Sequence, residues 1–208
     1  MRLDDLLVKR GYFSTRQKAK IAIKNKLVFV NGALADRPSM DVELSADITV
    51  IGEEKPKGYW KLKRLNEKWN FIKRGDRVLD LGSSAGGFIS YASSFADLVV
   101  GIEYSREFEE DLKRVEQKNV RIIFADVFEV DISSFDFKFD VILDDLTLKP
   151  SDSYKALKRF IPVLKDKGLA LFVAKTGIDK MVPEFDLEIV KHESSETLKE
   201  EYFLLRKC

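Results

Sequence analysis

Arg77–Phe88 reads RVLDLGSSAGGF. Val78, Leu79 and Leu81 make an apolar run of β type, Asp80 stands within its end, and Gly82, Gly86 and Gly87 bracket a short polar loop. A strand that ends in an acidic residue and opens into a glycine loop is how an α/β domain presents bare backbone to a nucleoside-like ligand. The glycines are spaced G-x-x-x-G-G and not G-x-G-x-x-G, so the tight turn that grips a pyrophosphate is missing. A cofactor without pyrophosphate fits better.

Outward from this loop, residues 58–208 alternate strand and helix as a parallel sheet with covering helices requires. The expected strands are Arg77–Leu81, Leu98–Tyr104, Val120–Ala125, Phe139–Asp144, Gly168–Ala174, Phe185–His192 and Glu201–Lys207, with helices such as Arg106–Gln117 and Asp152–Leu164 between them. Too few residues separate the last two strands for a helical crossover. A hairpin must join them, so the final strand runs antiparallel to an otherwise parallel sheet. The expected fold class is α/β, a Rossmann-like sheet of the methyltransferase kind and not a purely parallel dinucleotide fold.

The acidic residues at the strand ends narrow the ligand. Asp80 before the loop and Glu103 at the end of the next strand, about 20 residues on, suit an amino group and a ribose diol. S-adenosylmethionine offers both. The loop residues Gly82, Ser83, Gly86, Gly87 and Phe88 are expected at the same site. Asp126, after Ile122–Ala125, either takes the adenine amino group or caps a turn.

Residues 1–54 read as a small α/β module joined through residues 55–58 to a second domain, 59–208. Leu3, Leu6 and Leu7 have helical spacing, Gly11 ends that helix, and Ser14 can cap a second running from Thr15 to about Asn25. Arg16, Lys20 and Lys24 recur at i, i+4 and i+8 opposite Ala19, Ala22 and Ile23, so one face packs while the other meets solvent or phosphate. Asn31-Gly32 between β-branched runs is a two-residue hairpin signal, and Ile48–Ile51 supplies a further strand. Glu53 to Gly58 has the composition of an exposed linker.

Composition removes several function classes. One cysteine, Cys208, excludes an intramolecular disulfide framework, and with the single His192 it leaves no thiol–imidazole metal cluster, so no metal and a reducing cytoplasm are expected. No apolar run approaches the roughly 18 residues of a membrane helix, and no basic amphipathic helix with a broad apolar face supports a membrane-active toxin. The net charge of +1 conceals an uneven distribution, because residues 1–26 carry eight basic residues against Asp4 and Asp5. A second basic run, Lys55 to Arg77, interleaves with Tyr59, Trp60 and Trp69. A polyanion is the natural partner, and these aromatic residues either stack on splayed bases or pack in the core.

Two resemblances sharpen this reading. Arg2-Leu3-Asp4, Ser14-Thr15-Arg16 and Val30-Asn31-Gly32 resemble the small RNA-binding domain named for ribosomal protein S-four, which implies RNA contact through Arg2, Arg16, Lys20, Lys24 and Asn31. Residues 58–208 resemble the FtsJ-like family of RNA ribose 2′-O-methyltransferases. Together with the N-terminal module, the whole chain is similar to its TlyA (hemolysin A) branch, which methylates ribosomal RNA. The family's Lys-Asp-Lys-Glu tetrad then implies Lys61 in Tyr59–Leu62, Asp145 before Leu146-Thr147, Lys175 after Leu171–Ala174, and Glu201 before Tyr202-Phe203. Asp144 neighbours Asp145 and Glu200 neighbours Glu201. Adjacent strand residues face opposite ways, so only one of each pair meets the site, and the second of each is favoured.

The residue types suit that chemistry. A ribose hydroxyl is a poor acid at neutral pH, and a lysine can accept its proton only if its own pKa falls. A second lysine and partial burial are expected to disfavour the ammonium of Lys175, while Asp145 and Glu201 orient it. The branch's Ser-Arg-Gly-Gly before the first lysine is replaced here by Lys55-Pro56-Lys57-Gly58, and its Lys-Pro-Gln by Lys175-Thr176-Gly177. The competing reading is a catalytically idle RNA-binding factor in ribosome assembly.

Overall fold

The computed structural model describes residues 1–208 apart from 11, 14, 52–54, 57 and 197. The chain divides into two compact units, Met1–Lys55 and Pro56–Cys208. In the first, Leu3, Leu6 and Leu7 of α1 (Leu3–Lys9) and Ala19, Ala22 and Ile23 of α2 (Arg16–Lys24) share one buried core with Val28 and Val30. Beneath them β1 (Val28–Val30) pairs antiparallel with β2 (Ala33–Leu34) and β3 (Ile48–Val50). Asn31 and Gly32 both take positive φ, 52° and 78°, as the tight hairpin turn demands. Thr15 caps α2, its side chain accepting from the Lys18 amide. Ser14 and Gly11, expected at the helix ends, lie outside the described residues, as do Glu53, Glu54 and Lys57 of the expected linker.

The second unit is built on a seven-stranded sheet, β6-β5-β4-β7-β8-β10-β9. Its strands are β4 (Arg77–Leu81), β5 (Leu98–Glu103), β6 (Val120–Phe124), β7 (Phe139–Asp144), β8 (Leu164–Ala174), β9 (Glu188–Ser195) and β10 (Glu200–Arg206). β4 to β8 pair in parallel, while β10 inserts antiparallel between β8 and β9. The chain order reverses at β4, which opens a crevice at the carboxyl ends of the strands. Helix α4 (Gly87–Ala92) follows the glycine loop, α5 (Glu109–Val115) joins β5 to β6, and α6 (Pro150–Phe160) joins β7 to β8.

Several boundaries differ from the sequence expectation for local reasons. The segment 106–117 breaks into a 3₁₀ turn, Arg106–Phe108, and the short α5. α6 ends where Pro162 enters another 3₁₀ turn, Ile161–Val163. β9 starts at Glu188 and not Phe185, because the Phe185 ring packs against Tyr154, Phe172 and Phe203.

Helix α3 (Tyr59–Trp69) has no counterpart in the sequence reading. Leu62, Leu65 and Trp69 recur at i, i+3 and i+7 and pack on the same sheet face as Val141, Leu143, Leu171, Val173, Tyr202 and Leu204. The opposite face carries Leu79, Ile142, Phe172, Phe203 and α6. Trp69 and Tyr59 therefore serve packing, and Asn70 in the left-handed region closes the helix.

Candidate active site

Strand alternation decides which carboxylates meet. Lys175 continues the parity of Leu171 and Val173, Asp145 that of Val141 and Leu143, and Glu200 that of Tyr202 and Leu204, so all three emerge on the face covered by α3. Lys61 reaches them from the first turn of that helix. Its Nζ donates to Asp145 Oδ1 and Oδ2 at 3.1 and 2.8 Å and to Glu200 Oε1 at 3.1 Å. Lys175 Nζ lies 2.5 Å from Asp145 Oδ1 and 2.7 Å from Glu200 Oε1. These four side chains are only 10–18% exposed. Two cations and two anions thus form a closed, charge-balanced quartet.

Glu201 is not a member. Its parity is that of Phe203, and on the far face its carboxylate lies 2.9 Å from His192 Nε2. The glutamate of the quartet is Glu200, whose second oxygen accepts from the buried Tyr202 hydroxyl at 2.7 Å. Asp144 likewise points away, accepting from Ser153 Oγ at 2.8 Å and the Leu146 amide at 3.2 Å.

The proton affinity of Lys175 also departs from expectation. Burial alone lowers it, but Asp145 and Glu200 outweigh burial and hold the ammonium form well above its ordinary range. Burial raises Glu200, and the two lysines more than offset this, so its carboxyl falls below the ordinary value. Lys175 is an ammonium in the resting protein.

Beside the quartet lies a cavity of about 510 Å³ that Asp145 also lines, together with Gly82, Ser84, Glu103, Tyr104 and Asp126. Glu103 is fixed by the backbone, accepting from the Ser84 and Ser105 amides at 2.7 Å each. Each carboxylate oxygen keeps a further lone pair for a ligand. Asp126 caps a turn by accepting from the Phe128 amide and lines the cavity as well. Gly82 has φ of +76°, where any side chain is strained, and a Cβ there would sit 2.5 Å from Leu146 Cδ2, so Leu146 would have to shift. Asp80, Ser83, Gly86, Gly87 and Phe88 are buried behind it, Phe88 in the core. Asp80 Oδ2 has no partner, and burial pushes its carboxyl up to about 7. A nucleoside-sized, acid-edged cavity backed by an unsatisfied buried acceptor fits an adenosyl sulfonium ligand. Ser84, Tyr104, Phe128, Leu146 and Thr147 line it without having been expected, although Tyr104 directly follows Glu103 in the sequence and is 77% exposed.

In the first unit three of the expected RNA-contacting residues, Arg2, Arg16 and Lys20, converge on Asp4. Asp4 is fully buried, and Arg2 and Arg16 bind it at 3.0 and 3.1 Å with Lys20 at 3.9 Å. Arg2 first and then Arg16 hold its carboxyl down at about 2 against the opposing effect of burial. Arg2 and Arg16 remain nearly half exposed, Lys24 is exposed, and Asn31 Oδ1 accepts from the Asp47 amide.

Residues 55–203 match the family model for the FtsJ-like methyltransferases. The chain belongs to that family. Residues 1–48 match the S4 domain. The chain is 30% identical over 155 residues to the ribosomal RNA large subunit methyltransferase E of Desulfatibacillum aliphaticivorans, covering 64% of this chain and 72% of that protein. It is 35% identical to YqxC of Bacillus subtilis, provisionally named an rRNA methyltransferase, over 44% of this chain but only 34% of that protein. Among solved structures, a Streptococcus thermophilus protein provisionally described as a hemolysin has a TM-score of 0.59 at 18% identity, covering 100% of this chain and 88% of that one. An Aeropyrum pernix fibrillarin with natively bound S-adenosyl-L-methionine has a TM-score of 0.54 at 21% identity, covering 65% and 68%. Both share the fold. Among the described residues no helix is long and apolar enough to cross a membrane, and no group of three His, Cys, Asp or Glu could hold a metal ion.

Proposed function

We propose that this FtsJ-like chain methylates a ribose 2′-hydroxyl of ribosomal RNA, free or within a ribosomal subunit, using S-adenosyl-L-methionine in the cytoplasm. The observation that carries the reading is Asp145, which belongs at once to the lysine–carboxylate quartet and to the wall of the nucleoside-sized cavity. Residues 1–54 act as the RNA-binding module, residues 55–58 as the link, and residues 59–208 as the catalytic domain.

Glu103, Asp126 and the Gly82 wall would hold the adenosyl group, with Asp80 behind the loop as a further acceptor. When bound, the cofactor supplies an electrophilic methyl on a sulfonium. Lys61 and Lys175 orient the ribose hydroxyl, and Asp145 and Glu200 fix both ammonium groups with charge-assisted bonds. Lys175 would act as a base only after its ammonium has released a proton to solvent, a fraction that grows as pH rises. Its roles are then to accept the hydroxyl proton and to hold the oxygen in line, the former worth about 10²–10⁴-fold.

Transfer of labelled methyl groups to ribosomal RNA tests this. The wild type should label the RNA, and Lys175→Ala should lose most of that activity while still binding S-adenosylhomocysteine. Equal labelling by Lys175→Ala contradicts the assignment.

A further inference from the structure

The stripe of α3 that begins at Lys61 continues through Arg64 and Lys68, at i+3 and i+7. Both converge on a single carboxylate. Arg64 Nη1 lies 2.5 Å from Glu193 Oε1, and Lys68 Nζ lies 2.6 Å from Glu193 Oε2, so each cation holds its own oxygen. Glu193 stands on β9 directly opposite Tyr202, the residue whose hydroxyl is donated to Glu200. The Arg64 guanidinium lies 5.3 Å from the centroid of the Tyr202 ring. The pair therefore adjoins the quartet through Tyr202, on the same face of the sheet. Arg64 and Lys68 are 46% and 58% exposed, against 21% for Glu193.

The chemistry of the neighbouring site gives this pair a use. A ribose whose 2′-hydroxyl reaches Lys61 and Lys175 carries its 3′-phosphate on the adjacent carbon. Both quartet lysines are already balanced by Asp145 and Glu200. The phosphates flanking that ribose need cations from outside the quartet. Two cations that hold the two oxygens of one carboxylate offer the same two-point grip to the two non-bridging oxygens of a phosphodiester.

We propose that Arg64 and Lys68 are a contact site for a backbone phosphate of the RNA strand entering the quartet, and that Glu193 occupies this site as an internal competitor in the free protein. The inference rests on RNA being the substrate. It makes Glu193 a brake on RNA binding, since an incoming phosphate must displace it or share its cations.

The sign of one substitution separates this from an ordinary surface ion pair. Binding of the full chain to a fluorescein-labelled, unstructured RNA of about 20 nucleotides is followed by anisotropy over a series of KCl concentrations. Glu193→Gln should tighten binding about threefold to fivefold, the worth of an exposed ion pair. Lys68→Gln should weaken it by a similar factor and lower the slope of log K against log salt by about 0.7, one phosphate contact on a single strand. Urea midpoints of each variant establish that the fold is intact before the affinities are compared. Should Glu193→Gln fail to fold, the salt slope of Lys68→Gln decides, because that substitution leaves Glu193 its Arg64 partner. Unchanged or weaker binding by a folded Glu193→Gln, or an unchanged slope in Lys68→Gln, overturns the proposal. A wild type that does not bind this RNA at low salt overturns the proposal, while the RNA-methylation reading stands or falls separately on labelling of ribosomal RNA.

Discussion

Replacing Glu200 by Gln should damage the protein far more than the same change at Glu201, one residue on. Glu200 is 10% exposed and accepts from Lys61 at 3.1 Å, Lys175 at 2.7 Å and Tyr202 at 2.7 Å. Gln keeps one acceptor, removes the charge and turns an amide N–H₂ toward an ammonium. Each charge-assisted bond is worth about 1.5–3 kcal/mol, and breaking a buried ion pair costs about 3–5 kcal/mol. Partial solvent access lowers this, so a loss of roughly 2–3 kcal/mol is expected. Lys175 also loses one of the two carboxylates that position it, and methyl transfer should fall about 100-fold. Glu201 is 30% exposed, with the half-exposed His192 as partner, so Glu201→Gln should cost under about 1 kcal/mol and leave the rate within about twofold. Urea unfolding followed by tryptophan fluorescence reads the stability of this unit directly, since both tryptophans of the chain, Trp60 and Trp69, lie in α3. A Glu201→Gln variant as impaired as Glu200→Gln, or a neutral Glu200→Gln, would refute the parity argument.

Three further outcomes are expected. Because Asp145 and Glu200 hold Lys175 as an ammonium, the free-amine fraction grows steadily with pH, and the rate of methyl transfer should climb above neutrality instead of levelling off near 7; a flat profile from roughly pH 6 to 9 rules out Lys175 as the base. Burial raises Asp144 from 3.8 to about 7 in the folded protein. The stability tied to its neutral form is complete below the unfolded value and lost as pH rises through the folded one. Asp144→Asn should therefore lose less stability than the wild type when urea midpoints are compared between mildly acidic and mildly alkaline buffers, and an identical loss contradicts this. Gly82→Ala, with φ of +76° and its Cβ 2.5 Å from Leu146, should incur about 1–3 kcal/mol of strain at the cavity wall. S-adenosylhomocysteine affinity by calorimetry should drop about tenfold or more, and wild-type affinity would show that the wall is not part of the ligand site.

Much of this fold is legible because a parallel sheet buried on both faces writes itself as short apolar runs, and RVLDLGSSAGGF adds a loop that only a ligand-binding edge needs. The antiparallel last strand follows from the short gap before it. The choice between Glu200 and Glu201 does not, and the reason lies some 130 residues away. Parity on β10 is fixed by Tyr202 and Leu204, which pack on the face that α3 covers, and α3 is hard to see because its Tyr59, Trp60 and Trp69 mimic a base-stacking surface among lysines. Missing the helix and choosing the wrong glutamate are one error. The protonation of Lys175 was equally hidden: lysine next to lysine suggests a lowered pKa, and only the distances to two carboxylates reverse it. Phe88, adjacent in sequence to the glycine loop, packs in the core from the first turn of the short helix that Gly87 opens.

The most direct test of the central claim is the chemical identity of the product. Ribosomal RNA incubated with the protein and S-adenosylmethionine, digested to nucleosides and resolved by mass spectrometry, should gain a 2′-O-methylated ribonucleoside that is absent with Lys175→Ala. Methyl groups found on a base, or a 2′-O-methyl yield that survives Lys175→Ala, would contradict the account.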